Sequence, residues 1–152
     1  MCYTNVIDML SLAGIPLYAK DRKETSIQYI VTAQKLQVAA DRYVMNEKRV
    51  PKKWRYMLAQ DVINKVSELL DNVVASNAVF PNTEERLALR KKYLQQAVIN
   101  CFQLENKLLC MVRVIETVTP NSLSEIISLL SDEIALLKRV MQNAKIVGQK
   151  EV

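Results

Sequence analysis

The chain has 152 residues, half of them apolar and about a quarter charged, with a net charge of +5; this composition suits a single domain large enough to bury a core. It contains no histidine, and its only glycines, Gly14 and Gly148, stand alone. Ser-His and Cys-His nucleophile pairs, Glu-x-x-His di-iron sites and glycine-rich phosphate loops are thereby excluded, so no enzyme, cofactor or metal is expected.

Residues 1–25 read as an appendage, with a short helix at 4–13 and a turn at Gly14-Ile15-Pro16. The stretch up to Ala19 is fairly apolar but carries Asp8 and no basic residue before Lys20. A secretory signal begins with positive charge. No apolar run reaches the roughly 18 to 20 residues that span a bilayer. The expectation is a cytoplasmic protein with no membrane partner.

Beyond the appendage, prolines set the boundaries. Pro51, Pro81 and Pro120 are separated by stretches free of both proline and glycine. Proline is tolerated in the first turn of a helix and excluded from its interior, so the spacing predicts long helices with sharp corners. Tyr29, Ala33, Leu36, Ala40 and Tyr43 mark a helix over about 26–47. Pro51 opens the next, to about 78, with Leu58, Val62, Val66, Leu69 and Val73 facing the core. Asn82 with Glu85 resembles a capping box and starts a helix over 82–118. Within it Leu94, Ala97, Cys101, Leu104, Leu108, Met111, Ile115 and Val118 alternate in steps of three and four. Val98, Phe102, Leu109 and Val112 widen that seam into a second stripe, more than one bundle core requires, which predicts a homo-oligomer. Ser122-Leu123-Ser124-Glu125 is a capping box opening a helix over 122–146, with Leu123, Ile127, Leu130, Ile134, Leu137, Met141 and Ala144 inward. Short connections make neighbouring helices antiparallel. The expected fold class is all-α: an up-down-up-down antiparallel four-helix bundle over 26–147, preceded by the appendage and followed by a tail at 148–152.

The three cysteines, Cys2, Cys101 and Cys110, are too sparse for a disulfide framework and read as thiols of a reducing compartment. The pairs Glu68/Asp71 and Asp132/Glu133 read as solvated helix faces rather than catalytic carboxylates.

Charge is unevenly spread. From Arg42 to Arg55 there are six basic residues, Arg42, Lys48, Arg49, Lys52, Lys53 and Arg55, against one acid, Glu47. A second cluster, Arg86, Arg90, Lys91 and Lys92, opens the third helix. An antiparallel bundle places the two clusters at opposite ends, with Lys138, Arg139 and Lys145 toward the second. Clustered Lys and Arg are the footprint of phosphate-backbone binding. Cations in the first turn of a helix oppose its macrodipole, so a purely structural sequence would favour acids at 52–55. Two aromatics interleave with the first cluster. Trp54 lies four residues before Leu58 and is expected to plug the end of the bundle. Tyr56 is expected to be exposed, where an aromatic can stack on an unpaired base.

The corner Val50-Pro51-Lys52-Lys53-Trp54-Arg55-Tyr56 resembles the start of the second helix in the Avd-like accessory variability determinants of diversity-generating retroelements. These belong to a wider set of small bacterial four-helix bundles that includes proteins encoded by ribosomal RNA intervening sequences. Two further stretches fit the family pattern: the Asn-containing turn Ser76-Asn77-Ala78-Val79-Phe80-Pro81, and Arg90-Lys91-Lys92-Tyr93-Leu94-Gln95-Gln96-Ala97. The resemblance covers about residues 30–145. Ala135 to Val140 lacks the Gly-x-Trp or Gly-Gly-Trp stretch with which many members close the fourth helix. The resemblance implies a barrel-like homopentamer and a non-enzymatic role. It implies binding to a reverse transcriptase and to its template RNA, or an RNA/DNA hybrid, during mutagenic retrohoming. The competing expectation is a protein–protein adaptor whose basic corners dock an acidic partner, with no nucleic-acid role.

Overall fold

A computed structural model describes residues 27–148 of the chain. The appendage expected over 1–25, with its short helix, lies outside the described residues, as does the tail from residue 149 onward. Among the described residues every regular element is helical. The four long helices are α1, Gln28–Met45; α2, Gln60–Ala78; α3, Glu84–Val114; and α4, Ser124–Asn143. Each packs against two neighbours, α1 on α2 and α4, and α3 on α2 and α4, which is the square of a four-helix bundle. Bonds between loops confirm the up-down order. The Tyr43 hydroxyl, late in α1, pairs with Ser122 Oγ just before α4 at 2.6 Å. At the far end the Val147 amide donates to the Pro81 carbonyl at 2.9 Å.

The core is one apolar column. All eight seam residues of the third segment, Leu94 to Val118, are buried, together with Tyr29, Leu36, Val62, Val66, Leu69 and Leu137. The third helix nevertheless ends at Val114. Ile115 turns extended, and Ile115 and Val118 reach the core from the loop, where the Val118 amide closes a turn on the Ile115 carbonyl. Burial there is set by a folded-back loop with helix-like spacing.

Both expected caps are displaced. Thr83, not Asn82, caps α3, its hydroxyl accepting from the Arg86 amide at 3.2 Å. Glu84 and Glu85 then occupy the first turn, where acids suit the macrodipole. Ser122 does not cap α4. A short 3-10 turn, Asn121–Leu123, precedes that helix. The Ser122 hydroxyl donates to the Thr119 carbonyl at 2.7 Å and accepts from the Thr119 amide, tying the corner rather than the helix.

The inward face of α4 differs from the expected stripe. Leu123, Ile126, Leu130, Glu133 and Leu137 are buried, while Ile127 is exposed and Ile134 and Met141 only flank the core. Both stripes have steps of three and four. The expected one avoids the carboxylate; the observed one contains it. Glu133 is therefore not on a solvated face. It is fully buried, with neither carboxylate oxygen hydrogen-bonded among the described residues.

Between α1 and α2 the helix starts irregularly. Pro51 leads into a 3-10 turn, Lys52–Trp54, and then a single π turn, Arg55–Ala59. The register explains it. Inward positions along α2 run Ala59, Val62, Val66, Leu69, Val73 and Ser76 in steps of three and four. Continued backward, an α-helix would put Arg55 into the core. The π turn makes the step from Trp54 to Ala59 five residues, so the half-buried indole packs on the core instead.

Candidate nucleic-acid interface

The topology gathers the first basic cluster at the end of the bundle where α1 and α3 finish and α2 and α4 begin. Arg42 lies in the last turn of α1, and Arg113, which sequence reasoning did not single out, in the last turn of α3. Cations suit both helix ends. Nothing in the local sequence marks Arg113; only the antiparallel packing brings it to this end.

Not every cation here is available to a ligand. The Arg49 guanidinium donates to the Thr117 carbonyl at 3.4 Å, and the Thr117 hydroxyl donates to the Arg49 carbonyl at 2.5 Å, so Arg49 clamps two corners together. Arg55 is half-buried and donates to Glu47 Oε1 at 2.9 Å, while Lys52 shares the same oxygen at 3.5 Å. Glu47 thus relieves the charge crowding ahead of α2. Exposed ion pairs of this kind contribute little stability, about 0–1 kcal/mol. The Lys53 ammonium lies 5.3 Å from the centroid of the Trp54 ring. Arg42, Lys48, Lys53 and Arg113 have no acid within ion-pair distance among the described residues.

The aromatics divide as expected. Trp54 packs on the core and Tyr56 is 91% exposed. Next to Tyr56, Met57 is 68% exposed, and Met45, at the end of α1, is 56% exposed.

The second cluster lies at the opposite end and is more diluted. The Arg90 guanidinium donates to the Val79 carbonyl at 3.4 Å and closes the α2–α3 loop. Lys91 is half-buried, and the exposed Arg86 and Lys92 share the first turns of α3 with Glu84 and Glu85. From Lys92 to Arg113 the helix rises about 30 Å, so the two clusters form separate contacts. Lys138 is not at that end: its ammonium lies 5.7 Å from the Phe102 ring, near the middle of α3.

Among the described residues no group of three Cys, Asp or Glu is placed to hold a metal ion. No helix among them is long and apolar enough to cross a membrane. Comparison with protein-family models, with curated proteins and with solved structures finds no match to this chain.

Proposed function

We propose that this protein is a non-enzymatic RNA-binding accessory protein that contacts RNA phosphates through the corner between α1 and α2. The observation that carries this reading is the charge imbalance at one end of the bundle. Seven cations, Arg42, Lys48, Arg49, Lys52, Lys53, Arg55 and Arg113, gather there against Asp41, Glu47, Glu116 and Glu125; among the described residues Arg42, Lys48, Lys53 and Arg113 form no ion pair, and Glu47 is shared by Lys52 and Arg55. The resemblance of residues 50–56, 76–81 and 90–97 to the accessory variability determinants supplies the proposed setting. In that setting the protein works with a retroelement reverse transcriptase and its template RNA or RNA/DNA hybrid. A reverse-transcriptase gene with a template repeat beside this one would support the setting independently.

The test is a salt titration of RNA affinity with the triple variant Lys48→Glu/Lys52→Glu/Lys53→Glu. Arg49 and Arg55 are left intact because their hydrogen bonds hold the corner together. Each neutralised phosphate releases counterion, contributing about 0.7 to 0.9 to the log–log salt slope. The wild type is expected to lose affinity steeply with salt. The variant is expected to bind at least tenfold more weakly at low salt, with an unchanged helical circular-dichroism spectrum. The adaptor reading expects something else: no RNA binding by wild type even at low salt, and loss of an acidic protein partner in the variant.

A further inference from the structure

We infer that the corner takes an unpaired strand, with Tyr56 as the residue on which a base stacks. This rests on the RNA-binding reading above and narrows its ligand from RNA in general to single-stranded RNA. A surface that only holds duplex phosphates needs cations and gains nothing from an exposed ring, because paired bases are already stacked. Here the ring is 91% exposed at the cationic end of the bundle. Lys52 and Lys53, both exposed, stand four and three residues before it in the adjoining 3-10 turn.

The local backbone accounts for the exposure. The π turn over Arg55–Ala59 turns Trp54 inward and leaves Tyr56 and Met57 consecutively outside, 91% and 68% exposed. π turns inside helices occur disproportionately at functional sites. Trp54 fixes the base of the turn against the core, so the platform is carried by packed structure rather than by a free loop. Met57 and Met45, the latter 56% exposed at the end of α1, add adaptable apolar surface at the same end. Rings and apolar surface beside phosphate-binding cations are what single-strand binders combine.

The test is fluorescence anisotropy with two probes of equal length, a labelled unstructured oligouridine and a fully paired RNA duplex, at two salt concentrations. Wild type, Tyr56→Ala and Tyr56→Phe are compared, with circular dichroism to verify that each is folded. Wild type is expected to prefer the single strand. Tyr56→Ala is expected to lose roughly five- to 150-fold in single-strand affinity while its duplex affinity and salt slope stay as in wild type. Tyr56→Phe, which keeps the ring, should behave as wild type. Equal single-strand affinity for wild type and Tyr56→Ala would overturn the stacking role and leave the phosphate-binding reading standing. Absence of binding to either RNA at low salt would overturn both. Tyr56-dependent binding to phosphatidylserine vesicles without binding to RNA would assign the corner to a lipid surface and overturn the inference as well.

Discussion

Glu133 is fully buried, with both carboxylate oxygens unbonded among the described residues, and burial pushes its pKa from an ordinary 4.5 up to about 8. It therefore sits in the core as a neutral acid at pH 7. The Cys101 thiol is raised too, by its own burial first and by the nearby Glu133 second, so it remains a thiol. The sign for stability follows from linkage. Between about pH 4.5 and 8 the folded state holds a proton that the unfolded state has released, so stability falls as pH rises through that window, by up to about 1.4 kcal/mol per unit. Asp41, also raised by burial, acts with the same sign and is present in both proteins of the comparison. Urea unfolding of wild type and Glu133→Leu from pH 5 to 9 isolates the effect. The variant is expected to lack this part of the decline and to be the more stable protein at pH 9. Parallel pH profiles would show that the carboxyl is not held neutral in the core.

At the scale of elements, the α2–α3 pair is pinned by a polar network. Asn100 is almost wholly buried; its amide nitrogen donates to Glu68 Oε2 and Gln103 Oε1, and its oxygen accepts from Asn72 at 2.8 Å. Lys65 joins at Glu68, and Lys107 meets Asp61 at 3.1 Å further along. Asn100→Ala is expected to cost about 1–3 kcal/mol in urea unfolding, because it strips the Asn72 amide and Glu68 of a partner in a partly buried site. An effect below about 0.5 kcal/mol would mean that water replaces the network at no cost. None of this pairing was legible in the sequence, since Asn72, Asn100 and Glu68 carry no signal of facing one another. What the sequence did reveal is the period. From Leu94 to Met111 the seam is buried as the helical period requires, whereas Ile115 and Val118 are buried from the loop beyond the helix. On α4 two faces with that period overlap, and steps of three and four alone do not choose between Ile127 and Ile126. The π turn was hidden for a related reason: Trp54 lies four residues from Leu58 and five from Ala59, and the residue types alone do not choose between them. For the site, clustering of cations was legible; which of them are tied up by Glu47 and Thr117 depends on contacts across the corner.

For the whole molecule, the exposed apolar residues are as informative as the charges. Ile99, Phe102 and Leu109 follow one outer stripe of α3, each two-fifths to half exposed, and Ile127 is similarly exposed on the neighbouring α4. Lys138 lying over Phe102 sets the antiparallel register of the two helices, which brings Ile127 toward the C-terminal end of that stripe. A two-helix face of this kind is the proposed contact between copies of the chain, and a pentamer is the stoichiometry that the family resemblance implies. The wild type is expected to sediment as an oligomer at tens of micromolar, and Phe102→Gln/Leu109→Gln as a monomer of unchanged helicity. A wild-type monomer at that concentration would end the proposal. The consequence for RNA is separated by ligand length: neither substitution changes charge, Phe102 is about 16 Å along α3 from Arg113 and Leu109 about 6 Å, so a short oligonucleotide controls for any effect on the single corner. A cyclic assembly with the copies parallel would set several basic corners at one end, so that one RNA engaging two of them would gain effective concentration without any new contact. The uncharged double variant is therefore expected to weaken binding to a long RNA at least tenfold while leaving affinity for an oligonucleotide that reaches only one corner unchanged. Equal loss on both lengths would place Phe102 or Leu109 in the RNA contact itself, and no loss on either would mean that each corner binds alone.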